Sequence, residues 1–533
     1  MLTLGNRRHW VLAAGLLAAM FCLFAFSGAA KTEKALREND IQSGTQGPYQ
    51  PSWDSLVQQY NCPEWFRDAK FGIWAHWTAQ CVPEQGDWYA RKMYISGDPD
   101  YKYHVAKYGH PSQFGFKDIC NIWKAENWDP EKLIQLYKRA GAKYFVALAN
   151  HHCNFDCWNS KYQPWNSVNI GPKKDIVGTW AAAARKSGLR FGVTVHSARS
   201  WTWYEVAQGA DKEGPLAGFP YDGKLTKADG KGKWWEGYDP QDLYAQNHKP
   251  GEKPDQAYID KFYNRVKDLV DGYRPDLLYF DDSVMPLAGV SDVGLRLAAH
   301  YYNANIQWHG GKNEAVLNTK HLKPEQAKGL VWDIERGRSR KIEEYPWQTD
   351  TCIGDWHYRK GEKYKSVGEV VQTLVDIVSK NGNMLLNIPV RGDGTIDDEE
   401  MKFIEGLTRW MDINGEAIFS TRPWKVSGEG PVREKAGTSY QDEKGLPNTS
   451  EDIRFTTKGN VLYAVLLGWP ENQAVIKSLS SGEKLWFGEI AKVQLLGVKQ
   501  PLKFSRNEQG LTVEMPPEKP CDHAFVLKIS GKP

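Results

Sequence analysis

The chain has 533 residues, with 68 Lys+Arg against 65 Asp+Glu for a formal net charge of +3. That balance excludes nucleic acid as the main partner, because a surface that tracks phosphates needs a clear basic excess. A 41% hydrophobic and 25% charged composition excludes disorder and collagen-like structure, and 23 Trp with 25 Tyr suits flat ligands as well as a core.

The first thirty residues read as an export signal. Arg7 and Arg8 form the positive head, Trp10 to Phe26 the apolar run, and Ser27-Gly28-Ala29-Ala30 the small-residue cleavage site. The run is short for a bilayer span and lacks a cationic stop-transfer flank. The expectation is a signal peptide over 1–30, a periplasmic or secreted product, and no stable membrane insertion after cleavage. Residues 31–60 read as an N-terminal lead-in.

From Lys70 to Asn414 short β-rich runs alternate with helix-period segments, the pattern of a parallel sheet. Strands are predicted at Lys70–His76, Lys143–Leu148, Phe191–His196, Leu277–Asp281, Ala315–Asn318, Leu330–Asp333 and Met384–Ile388. Helices are predicted at Pro130–Ala140, Lys174–Lys186, Asp255–Asp271, Val367–Lys380 and Asp398–Asn414. The first of these opens on Asp129 as cap with Pro130 in its first turn. An eighth strand, sought near Cys352–Tyr358, would close a (β/α)8-like barrel over residues 61–418. After Trp424 short alternating runs separated by Gly, Asn, Pro and Lys predict an antiparallel β-sandwich, placed at 419–533. Its strands are expected at Ile453–Thr456, Val461–Leu467, Lys492–Leu496, Leu511–Met515 and Phe525–Ile529.

Seven cysteines follow the signal: Cys62, Cys81, Cys120, Cys153, Cys157, Cys352 and Cys521. An odd number leaves at least one thiol unpaired within the chain. Structural thiols or one or two disulfides are expected. Cys153 and Cys157 have no second pair to build a metal site with.

In a parallel barrel the reactive groups gather where strands end. Here those ends carry His76-Trp77, Asn150-His151-His152, His196 with Trp201 and Trp203 close behind, Asp281-Asp282, and Trp332-Asp333-Ile334-Glu335. Indole faces and hydrogen-bonding imidazoles suit a sugar ring. Carboxylates on two strand ends are what glycoside cleavage needs, one at the anomeric carbon and one to protonate the leaving oxygen. For a lone Asp the plain alternative is a helix cap or turn. His151, His152 and Asp156 could ligate a metal with His76 and His196, but the first strand lacks a His-x-His pair, and neutral sugar-binding histidines are the better reading.

These segments resemble glycoside hydrolase family 29, the retaining α-L-fucosidases. The resemblance lies in Trp65 to Trp77 (WFRDAKFGIWAHW), in Ala142-Lys143-Tyr144 through His151-His152 to Phe155-Asp156-Trp158, in Arg274 to Asp281 (RPDLLYFD), and in Asn381 to Ile388 (NGNMLLNI). It covers roughly residues 50 to 425 and implies a (β/α)8-like barrel followed by a β-sandwich. It places Asp281 as nucleophile and His76, His151 and His152 on fucose hydroxyls. It also brings Tyr279 and Trp88 against the sugar. The acid/base lies in a variable loop, where Glu335 is the choice ahead of Asp333, Glu343 and Glu344. His196 and Trp203 complete the expected sugar contacts. The implied activity is exo-acting, two-step release of terminal α-L-fucose from a fucose-containing glycan, with no metal or organic cofactor. An exo-α-L-galactosidase is the alternative, since L-galactose differs from L-fucose by one hydroxyl at C6. Further off stands an inactive carbohydrate-binding protein on the same scaffold.

Overall fold

The computed structural model describes residues 44–431, 447–483, 485–486 and 488–532. The export signal and the first part of the lead-in lie outside the described residues. Eight parallel strands close a barrel: β1 Phe71–Ala75, β2 Tyr144–Asn150, β3 Arg190–Val195, β4 Leu277–Ser283, β5 Val316–Lys320, β6 Val331–Asp333, β7 Trp347–Cys352 and β8 Gly382–Asn387. Closure comes from β1 against β8, with Ile73 opposite Leu386. Both faces of these strands are covered, and β1 to β4 accordingly read as near-continuous apolar runs. Trp74, Tyr144, Val146, Tyr279, Val316 and Leu385 fill the interior, which is a packed core and not a channel.

The helices follow from their caps. The side chains of Asp129, Asp175 and Asp255 accept from the first turns of Pro130–Arg139, Ile176–Lys186 and Gln256–Tyr273. Ser366 with Glu369 and Asp397 with Glu400 form capping boxes at Val367–Ser379 and Asp398–Asn414. Helix Val293–Trp308, between β4 and β5, is absent from the sequence reading; it opens on Asp292, which makes no side-chain cap bond. The β5–β6 and β6–β7 connections contain no helix.

The eighth strand, expected near Cys352–Tyr358, lies just before it, at Trp347–Cys352. Gln348, Thr349, Asp350 and Thr351 make this strand polar, yet all are buried. The hydrophobic signature of a buried strand is therefore missing from the sequence.

C-terminal to the barrel stand two antiparallel sheets. One has the order β13-β16-β11-β10-β9 and the other β12-β15-β14. Their strands are β9 Arg422–Glu429, β10 Ile453–Lys458, β11 Val461–Leu466, β12 Gln473–Ile476, β13 Ile490–Leu495, β14 Phe504–Asn507, β15 Gly510–Glu514 and β16 Phe525–Gly531. β9, β12 and β14 are absent from the sequence reading; β12 and β14 are four residues each, and β9 has no buried residue. Phe455, Leu462, Val493, Val513 and Leu527 fill the space between the sheets. Arg454 of β10 reaches Asp376 of a barrel helix at 2.6 Å, and Trp410 Nε1 donates to the Ala524 carbonyl at 3.0 Å. All seven described cysteines are free thiols. Burial pushes the Cys62, Cys81 and Cys153 thiols up to about 12. No helix among the described residues is long and apolar enough to cross a membrane.

Candidate active site

The C-terminal strand ends enclose a cavity of about 100 Å³. On one side β4 delivers Asp281 through a bulge. Phe280 pairs with Thr319 and Ser283 with Lys320, which leaves Asp281 and Asp282 with no opposite residue on β5. Extra residues in a ladder re-aim side chains, and Asp281 faces the pocket beside Lys320. Asp281 Oδ1 accepts from Lys320 Nζ, and its Oδ2 lies 3.0 Å from His196 Nδ1, an approach too oblique for a hydrogen bond.

Glu335 follows β6 by two residues and is fixed from both flanks. Ile334 N–H donates to the Gln348 carbonyl at 2.9 Å, and Arg336 N–H donates to the Asp350 carbonyl at 2.8 Å. The pairing with β7 thus continues past the strand end. Lys320 Nζ donates to Glu335 Oε2 at 2.5 Å and lies 3.5 Å from Asp350 Oδ2. Among the other acid/base candidates, Asp333 is buried beneath, bound by Tyr279 OH at 3.0 Å and Gln348 Nε2 at 2.8 Å. Glu343 and Glu344 line a different cavity.

These surroundings separate the two carboxyls. Burial works against the charge on Asp281, but the Lys320 ammonium and His196 outweigh it and hold the group well below the usual carboxylate range. Burial, helped by Asp350 and Asp281 and opposed by Lys320, pushes Glu335 up to about 7. One group is ionised and the other protonated near neutrality, the division of labour an acid-assisted displacement needs.

The other side is neutral. His76, His151 and His152 are buried, and burial holds each imidazole below its ordinary range, His152 at about 3. Their partners fix the tautomers. Gln80 Oε1 accepts from Ala90 N–H, so its amide nitrogen donates to His151 Nδ1 at 2.9 Å and the ring proton of His151 sits on Nε2. His152 Nδ1 donates to the His196 carbonyl at 2.7 Å, so its Nε2 is an acceptor. Adjacent rings therefore offer one donor and one acceptor, which matches a sugar hydroxyl that does both. Trp88 and Trp356 supply the apolar surfaces of the lining, and Asp87 and Arg199 complete the rim. Asp87 is held by His357 Nδ1 at 2.6 Å.

Six of the nine residues expected from sequence line this pocket: Asp281, Glu335, His76, Trp88, His151 and His152. The other three stand one layer back. Tyr279 alternates with Phe280 along β4 and points into the barrel core, its ring 5.6 Å from Trp74. Trp203 is buried behind the histidines, its ring 6.1 Å from His151 and 5.8 Å from His152. His196 backs Asp281. Asp156 is an ion-pair partner of Arg265 at 2.5 Å.

Sequence reasoning missed Lys320, Asp350, Arg199, Trp356 and His357. Lys320 lies two residues past the predicted strand Ala315–Asn318, at the end of the observed one, and was open to the same rule that selected Asp281. Asp350 lies in the polar strand that had no signal. Donor atoms of His76, His151 and His196, and of Asp87, His151 and His357, lie within 4.8 Å of one another. That spacing admits an ion; Gln80 already engages His151 and His357 already bonds Asp87, while His76 Nδ1 and His196 Nδ1 make no hydrogen bond.

Paired carboxyls of opposite protonation, beside neutral imidazoles and indoles at the C-terminal mouth of an eight-stranded barrel, define a glycosidase. Residues 37–416 match the family model "Alpha-L-fucosidase", and residues 447–530 match "Alpha-L-fucosidase C-terminal domain". The chain belongs to the alpha-L-fucosidase family. It is 28% identical to human tissue alpha-L-fucosidase over 535 residues, covering 96% of this chain and 97% of that protein. It is 27% identical to human plasma alpha-L-fucosidase, covering 91% and 92%. Among solved structures it is similar to Thermotoga maritima alpha-fucosidase in complex with fucose, at 29% identity and a TM-score of 0.65, covering 90% of this chain and 99% of that one.

Proposed function

We propose that the protein is an exported, exo-acting, retaining α-L-fucosidase that releases terminal α-L-fucose from glycans or polysaccharides. Asp281 attacks the anomeric carbon while the leaving oxygen takes the proton of Glu335. Water then attacks the fucosyl ester, Glu335 takes its proton, and Asp281 leaves as carboxylate. His76, His151 and His152 bind the sugar hydroxyls, with Trp88 against the ring. Residues 61–418 form the catalytic unit, and 419–533 support it.

The observation that carries this reading is the meeting of the two carboxyls on one ammonium. Because Lys320 Nζ hydrogen-bonds to an oxygen of each, those oxygens are no further apart than two short contacts laid end to end. This fits the roughly 5–5.5 Å of retaining enzymes better than the roughly 6.5–9.5 Å of inverting ones. The small pocket supports removal of a single terminal unit. The family relatives support fucose as that unit.

The test is hydrolysis of 4-nitrophenyl α-L-fucoside and α-L-galactoside, with the anomeric form of the first product followed by NMR. Fast release of α-L-fucose from the fucoside is expected. Initial release of the β-anomer would sink the retaining mechanism, and activity on the galactoside alone would put the C6 alternative in its place.

A further inference from the structure

The role of Lys320 rests on the assignment of Asp281 and Glu335 as nucleophile and acid/base. Lys320 is buried at the end of β5, and its ammonium has three hydrogens. Asp281 Oδ1 and Glu335 Oε2 accept from it, and Asp350 Oδ2 lies 3.5 Å away. The two groups that exchange roles in the reaction thus share one cation. His196 faces Asp281 from β3, Asp350 faces Glu335 from β7, and Asp333 faces Asp350 from β6. None of these three changes its covalent state in the cycle.

Asp281 does change. When its oxygen bonds to C1 and the C1–O bond to the aglycone breaks, the carboxylate becomes a neutral ester and Glu335 has given up its proton. We propose that Lys320 is a positioning residue that shifts its electrostatic stabilisation between the two carboxyls during turnover while itself staying protonated, holding Asp281 as the nucleophile in the free enzyme and Glu335 as the base in the covalent intermediate. In the free enzyme the ammonium divides its field between an ionised Asp281 and a protonated Glu335. Once Asp281 is esterified, the field falls on Glu335, which must stay ionised until it takes a proton from the incoming water. When C1 passes to water oxygen, the ester bond breaks, Asp281 regains its charge and Lys320 returns to it. No co-reactant beyond water is needed.

The test uses the full-length enzyme and 4-nitrophenyl α-L-fucoside. Labelling of Asp281 by 2-deoxy-2-fluoro-α-L-fucosyl fluoride is checked first by peptide mass. An unlabelled Asp281 would remove the underlying assignment and the role of Lys320 with it. With Asp281 labelled, Lys320→Met is expected to move both limbs of the kcat/KM profile to higher pH by about one unit, because both carboxyls lose a neighbouring cation. Its kcat at pH 6 falls about tenfold, with a larger nitrophenol burst as deglycosylation becomes the slow step. Lys320→Arg keeps the wild-type limbs. A Lys320→Met enzyme with lower activity but unmoved limbs would overturn the proposal while leaving the assignment of Asp281 intact. Should Lys320→Met not fold, Lys320→Gln replaces it, and wild type gives an independent readout. Reactivation of the fluorosugar-trapped enzyme must show the Glu335 limb at lower pH than the free enzyme does. A limb at the same pH overturns the proposal.

Discussion

The two halves of the pocket are built from opposite electrostatic materials. The wall from the ends of β1 and β2 is faced with neutral groups, imidazoles kept uncharged by burial and backed by indoles, with tautomers fixed by Gln80 and by a backbone carbonyl. The charges that border it, Asp87 and Arg199, stand at the rim. The wall from β4 to β7 is ionic, with Asp281, Glu335 and Asp350 each within 3.5 Å of the Lys320 ammonium. A neutral donor–acceptor wall binds hydroxyls equally well before and during bond cleavage. An ionic wall responds to charge that develops only as the bond breaks, and that is where rate enhancement arises. On the proposed mechanism, recognition belongs to the wall from β1 and β2 and chemistry to the wall from β4 to β7, with His196 after β3 backing Asp281 between them.

Mutations should therefore separate by side. Asp281→Ala removes the attacking oxygen, and kcat on 4-nitrophenyl α-L-fucoside is expected to fall by at least the order of 10³ with the fold intact by circular dichroism. A loss under tenfold would place the nucleophile elsewhere. Glu335→Gln should cost roughly 10² to 10⁴ on a poor leaving group such as a methyl fucoside, and far less on fucosyl fluoride, whose departure needs no proton. The pH profile gives the same residue a second reading. With Glu335 as the proposed proton donor, its carboxyl pushed up to about 7 by burial, kcat/KM is expected to fall as pH rises through that value, and this limb to vanish in the Gln variant. Asp281, held well below the ordinary carboxylate range, sets an acidic limb below the usual one. On the neutral side, His151→Ala leaves a sugar hydroxyl without its buried partner, at a cost of about 1–3 kcal/mol or roughly 5–150-fold. That loss should appear in kcat/KM with the leaving-group dependence unchanged. If it altered the leaving-group dependence instead, the division between the walls would be wrong.

The same division decides what can be read from sequence. The neutral wall is legible because histidines following apolar runs are conspicuous, as with His76 after Phe71–Ala75 and His151-His152 after Tyr144–Asn150. The ionic wall is half legible. Asp281 closes the apolar run Leu277–Phe280, and Glu335 lies near a strand end, but Lys320 ends a run with two polar residues, Asn318 and Thr319, before it. Asp350 belongs to a strand whose buried residues are polar because they face polar partners inside the barrel, as Gln348 does with Asp333 and Asp350 with the Lys320 ammonium. Hydrophobic periodicity detects burial only where burial is apolar. It also cannot tell which alternating residue of a strand end points into the core, which is why the sequence reading sets Tyr279 among the sugar contacts while its ring packs in the barrel core.

The smallest effect is expected at the rim, where the neutral wall meets solvent. Trp88 is 38% exposed, adopts a left-handed backbone (φ 66°) next to Gly86 and Asp87, and meets His152 and Trp203 only edge-on, at ring separations of 6.3 and 6.2 Å. A side chain this open adds an apolar face to a bound sugar without fixing any charged group, so Trp88→Ala should forfeit about 0.5–1.5 kcal/mol of stacking. That corresponds to a rise in KM of roughly two- to tenfold, with kcat and both pH limbs unchanged. Trp88→Phe, which keeps a face for the sugar, should recover most of it. A change in kcat, or a shift of the limb near 7, would mean that the Trp88 loop also positions the ionic wall. The link would run through Asp87, whose backbone N–H donates to Asp355 at 3.2 Å and whose carboxylate accepts from His357. The β7–β8 loop that carries Asp355 and His357 follows the strand of Asp350, so recognition at the rim and chemistry at the floor would then be coupled through β7.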